Sequence, residues 1–177
     1  MVVRAGLRYL RMAVRFWSGP CILAAFYCLT AGCQGNLLTY KGGNVPQGES
    51  IELLDGEHSG YWPTRDLRVN YTYLKKTNQL NISGDVRFAD WLGLSFDNIE
   101  FFNLQMFLLS DQGTVLQAVG LATSPSFASS RMSLNFAKTM TLPADTVAMA
   151  FGYTGEARGA ADEDTGTTSF FYIPVER

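Results

Sequence analysis

Apolar and polar residues alternate with a period of two along much of the chain after residue 50, the signature of half-buried β-strands. In residues 66–74, Leu67, Val69, Tyr71 and Tyr73 take one parity while Arg68, Asn70 and Thr72 take the other. After the polar run Lys75-Lys76-Thr77-Asn78, Leu80, Ile82, Val86 and Phe88 alternate with Asn81, Ser83, Asp85 and Arg87. Two such runs around a short polar break predict a β-hairpin, with Gly84 at a bulge and Tyr71 and Tyr73 on the inward face.

Residues 101–109 form a nearly continuous apolar run, expected of a strand covered on both faces. Asp111-Gln112-Gly113-Thr114 reads as a turn and residues 115–121 as the returning strand, followed by a polar loop over 124–130. Met132, Leu134 and Phe136 alternate again, Leu142-Pro143-Ala144-Asp145 makes a corner, Val147, Met149, Phe151 and Tyr153 form another strand, and residues 169–175 close the chain. No run of ten or more residues after Ile51 has helical period. Seven or eight short strands joined by turns predict an all-β fold, a two-sheet antiparallel β-sandwich of Ig-like or jelly-roll type spanning residues 51–177.

The N-terminal 32 residues obey a different pattern. They carry Arg4, Arg8, Arg11 and Arg15, no acidic residue, and an apolar stretch over 21–29 that is much shorter than the ~20 residues needed to cross a bilayer. A basic start, an apolar middle and small residues before a break describe a secretory signal peptide over residues 1–32. Leu29-Thr30-Ala31-Gly32-Cys33 resembles the lipobox of bacterial lipoproteins. That resemblance implies cleavage before Cys33 and acylation of its thiol, and Gln34 in the sorting position implies the outer membrane, facing the periplasm or the surface. Two alternatives stay open: ordinary cleavage near Ala31-Gly32 with Cys33 incidental, and an uncleaved inner-membrane anchor. Residues 33–50 read as the lipidated Cys and a flexible tether rich in Gly, Gln, Asn and Ser.

Processing of this kind changes what the composition means. The full chain has 177 residues, a net charge of −2 and three cysteines. Without the leader, ten basic residues face sixteen acidic ones, a net charge of −6, and Cys33 is the remaining cysteine. An acidic domain offers no electrostatic footprint for nucleic acid and disfavours docking on anionic headgroups. With no second thiol there is no internal disulfide, so the core carries the stability.

Candidate chemistry is sparse. His58 is the single histidine, and Glu57, His58 and Ser59 are adjacent on what reads as an exposed loop, where neighbours in sequence rarely converge on one reacting atom. No phosphate-binding Gly-rich loop and no zinc-ligand spacing occurs. Asp162, Glu163 and Asp164 in the acidic segment 155–168 are candidate hard-oxygen ligands for Ca²⁺, with a solvated acidic loop as the competing reading. Tyr61, Trp62 and Trp91 are the candidate ligand-binding aromatics, whose rings would stack on sugars; in the competing reading Trp62 caps the sandwich edge and Trp91 plugs its end. The expectation is a membrane-anchored envelope lipoprotein with a non-catalytic domain that contacts an envelope protein partner or assists assembly. The alternative is a module for a carbohydrate or Ca²⁺, and a hydrolase with an unrecognised carboxylate site is the third reading.

Overall fold

The computed structural model describes residues 40–128, 133–159 and 166–176. Ten strands follow one another: β1 (Ile51–Glu52), β2 (Gly56–Pro63), β3 (Leu67–Lys76), β4 (Gln79–Phe88), β5 (Asn98–Leu109), β6 (Val115–Ser124), β7 (Phe127–Ala128), β8 (Ser133–Thr141), β9 (Ala148–Arg158) and β10 (Thr167–Tyr172). A 3-10 turn over Gln47–Glu49 precedes β1, and a short α-helix, α1 (Asp90–Ser95), links β4 to β5. All strand pairs are antiparallel and form two sheets. One has the order β2-β3-β4-β8; the other runs β1-β9-β5-β6, with β10 also on β9 and β7 also on β5. This is the expected sandwich, with more and longer strands than the alternation marked.

The β3–β4 hairpin forms as its pattern requires. Leu67 pairs with Phe88, Val69 with Val86 and Tyr73 with Ile82, so each inward parity meets its partner. The two-residue connection places Thr77 at φ 53, the left-handed region that favours glycine. Gly84 is not at a bulge: it pairs in unbroken register with Tyr71, and a Cβ there would collide with the Asn70 carbonyl and lie 2.8 Å from the Phe136 ring. Close approach, and not an extra residue, requires glycine at this position. The bulges lie on β5 instead, between Leu104 and Gln105 and between Leu108 and Leu109 against β6, and between Ile99 and Phe101 against β9.

Leu67, Val69, Leu80, Ile82 and Val86 from one sheet meet Phe102, Leu104, Met106, Phe151 and Tyr153 from the other, all almost fully buried. The outward face of the six-stranded sheet carries a second, smaller core. Phe107, Leu109, Val115 and Ala150 are buried there beneath Val45, Tyr40, Ile173 and Val175. Ala150 and Gly152 are small because β9 is covered on this face too; a Cβ on Gly152 would lie 2.8 Å from the Phe107 ring and 3.0 Å from the Tyr172 carbonyl.

Residues 40–50 therefore differ from the expected tether. Val45 is buried, the Tyr40 ring stands edge-on to Phe107 at 5.1 Å, and the Asn44 backbone exchanges hydrogen bonds of 3.0 and 2.8 Å with that of Glu176. Gly42 bonds to Val115 and Val45 to Gly113, so the segment is a strap laid across the sheet. Gly113 has φ 77, and a side chain there would lie 2.6 Å from the Val45 carbonyl. The polar sequence of this strap satisfies backbone and turn hydrogen bonds, which composition alone does not distinguish from a flexible linker. The rest of the expected tether, the signal segment and Cys33 lie outside the described residues.

Candidate functional site

Strand β2 was legible only as a loop, because Gly56, Gly60 and Pro63 interrupt any apolar alternation. It is an edge strand paired to β3 from Gly56 opposite Lys75 to Pro63 opposite Arg68. His58 consequently sits half-buried on a strand: its Nε2 lies 3.0 Å from the Asp55 carbonyl and its ring 5.3 Å from that of Tyr73. Period two sends neighbours to opposite faces. Tyr61 points to solvent on the outer face, 62% exposed, with the Arg68 guanidinium 4.8 Å above its ring. Trp62 turns inward to the corner between the sheets, its ring 5.4 Å from Tyr172, 5.6 Å from Phe151 and 6.1 Å from Tyr153.

Trp91 joins neither. It stands on α1, where its Nε1 donates to the Arg65 carbonyl at 3.3 Å and the Arg65 guanidinium lies 5.4 Å from its ring centroid. It packs on Phe96 and closes one end of the core. The three candidate ligand-binding aromatics are thus in three environments, and Trp62 lines a concavity at the corner between the sheets.

That concavity, about 520 Å³, opens at the β2–β10 corner and is lined by Glu49, residues 62–66, Tyr153, Phe171 and Tyr172. Thr64 organises its floor. The Thr64 hydroxyl donates to the Leu67 carbonyl at 2.9 Å and accepts from the backbone N–H groups of Leu67 and Asp66, fixing the turn into β3. That turn holds Asp66 in a buried position, where Oδ2 accepts the Tyr153 hydroxyl at 2.7 Å. On the other side the Tyr172 hydroxyl donates to Glu49. Phe171, 69% exposed, forms part of the rim.

Burial raises the Tyr153 phenol far above its ordinary value, and the Asp66 carboxylate adds to the shift. Tyr172 is pushed up to about 12, first by burial and then by Glu49. Both phenols stay protonated near neutrality and serve as donors to the carboxylates. The remaining lone pairs of Glu49 and Asp66 can accept hydroxyl or N–H groups. The three rings pack on one another at 5.4 to 6.4 Å, so they form a wall and not an open box around a cation. An aromatic wall beside hydrogen-bond acceptors and the Arg65 guanidinium suits a small polar ligand with an apolar face.

Among the described residues no cluster of three His, Cys, Asp or Glu is placed to hold a metal ion, and no helix is long and apolar enough to cross a membrane. Asp162, Glu163 and Asp164 lie outside the described residues. Sequence reasoning reached Trp62 but missed Glu49, Thr64, Asp66, Tyr153 and Tyr172, which converge from four distant segments. One signal was present: an acid at the mouth of an apolar strand, two residues after a Thr that can bond the turn. No family model matches this chain, and neither does any curated protein or solved structure.

Proposed function

We propose that the protein is an envelope lipoprotein, anchored through acylated Cys33, whose β-sandwich is a binding module for a small polyhydroxylated ligand of the carbohydrate class. The observation that carries the binding role is the corner at Trp62, where an aromatic wall meets Glu49, Asp66 and Arg65 around an opening of about 520 Å³. That volume falls within the ~300–1,000 Å³ of small-molecule sites, and carboxylates beside a flat ring are the groups that grip vicinal hydroxyls and a sugar face. The basic leader and the lipobox-like residues 29–33 support the anchoring half. A role in contacting an envelope protein is the second reading, favoured by the exposure of Phe171 and Phe101, both on the outward face of the six-stranded sheet.

The test is isothermal titration of the full-length protein in detergent with a panel of neutral oligosaccharides. Binding that is lost in Trp62→Ala and retained in Trp91→Ala supports the corner site; no binding across the panel removes it. For the anchor, Cys33→Ser should release the protein from membranes. Membrane retention of that variant, with no acyl mass on the wild type, overturns the lipoprotein reading.

A further inference from the structure

The outer face of the four-stranded sheet places two arginines directly opposite one another, Arg68 on β3 and Arg87 on β4. Directly opposed side chains stand about 4.5–5.5 Å apart at Cβ, and like charges there work against folding. Asp85 relieves only part of this: its Oδ2 accepts Arg87 Nε at 2.9 Å and Asn70 Nδ2 at 3.0 Å. Arg68 makes no hydrogen bond or ion pair among the described residues; its guanidinium carbon lies over the Tyr61 ring at 4.8 Å from the centroid instead. The forks of two adjacent guanidinium groups are thus left facing solvent on a domain that is otherwise acidic.

The neighbouring rows of the same face are polar, and Asp85 is the one charged residue named in them. Tyr61, Asn70, Asp85 and Asn135 align in register in the next row, and Ser59, Thr72 and Ser83 in the one after. We propose that this face is a second site, distinct from the Trp62 corner, and that it binds an acidic saccharide. The oxyanion would bridge Arg68 and Arg87, the sugar hydroxyls would exchange with Asn70, Asp85 and Asn135, and the exposed Tyr61 ring would flank the sugar. Nucleic acid or a lipid surface fits less well, because either would lay a long array of charges against a chain of net charge −6 after the leader, whereas a short acidic saccharide needs to seat one oxyanion on the arginine pair.

The test titrates the full-length protein in detergent with a galacturonate oligomer, a neutral galactose oligomer of the same length, and inorganic phosphate. The galacturonate oligomer should bind at least tenfold more tightly than the neutral one and weaken with added salt. Arg68→Ala and Arg87→Ala should each cost at least tenfold, and Arg68→Gln, which removes the charge but keeps a polar side chain, should lose as much while melting no lower than the wild type. Trp62→Ala should leave this binding intact, which separates it from the corner site. Equal affinity for the neutral oligomer, indifference to the arginine variants, or loss of binding in Trp62→Ala overturns the proposal. Phosphate binding as tight as galacturonate overturns the saccharide and leaves a simple oxyanion.

Discussion

Replacing Tyr153 by Phe removes one hydroxyl from the interior and leaves the ring in place. Tyr153 is 1% exposed, and its hydroxyl donates to the buried Asp66 at 2.7 Å with Thr64 Oγ1 at 3.2 Å. No cavity larger than an oxygen opens, so the packing loss is small. The cost comes from a buried carboxylate deprived of its donor, and a hydrogen bond to a charged group contributes about 1.5–3 kcal/mol. We expect a loss of about 2 kcal/mol, a fall in Tm of about 5–10 °C for a domain of this size. Urea denaturation of the full-length protein followed by far-UV circular dichroism measures it, with a lower midpoint and an unchanged slope. Asp66→Asn and the double variant complete the cycle, and the pair should couple by about 1–2 kcal/mol. A loss below about 0.5 kcal/mol for Tyr153→Phe, or costs that simply add in the double variant, would refute the view that this pair holds the floor of the corner.

Three further outcomes are expected. Tyr172 has its pKa raised from 10.0 to about 12, so its contribution is complete below pH 10 and lost as pH climbs through 12; urea midpoints should fall across that window, and Tyr172→Phe should flatten the fall. Gly155→Val would drive a side chain into the Phe170 ring, which is buried and stacked on Phe102, and should cost about 2 kcal/mol by the same urea assay. Thr77→Gly relieves a positive φ in the β3–β4 turn and should raise the urea midpoint by the equivalent of about 0.5–1 kcal/mol.

What the sequence made legible follows from where water touches the chain. Strands β3 and β4 lie with one face in the core and one in solvent, so Leu67 to Tyr73 and Leu80 to Phe88 spell out their faces. Strand β9 is covered on both sides, and its outward residues Ala150 and Gly152 are small where the opposite side has Phe151 and Tyr153; alternation in size replaces alternation in polarity. Strand β2 pairs along one edge only and presents Gly60 to the Tyr71 ring, which leaves no apolar parity to read. The corner depends on β2, and without β2 nothing in the sequence separates Tyr61 from Trp62, which adjacent strand positions send to opposite faces. The remaining lining residues are brought together by tertiary pairing of β3, β9 and β10 with the turn at Glu49, and no local pattern encodes that.

The strap over residues 40–45 sets the length of the leash. If a lipid is carried on Cys33, seven peptide steps separate it from Tyr40, the first described residue and one packed on the sheet, a contour of at most about 25 Å. A free tether extending to residue 50 would have reached about 60 Å. Since accessible volume grows with the cube of reach, the strap would then shrink the region such an anchored domain searches by about tenfold and hold it close to the anchoring bilayer. A ligand for such a domain has to arrive at the membrane surface, and unfastening the strap, for example with Val45→Asp, would lengthen the leash as well as loosen the fold.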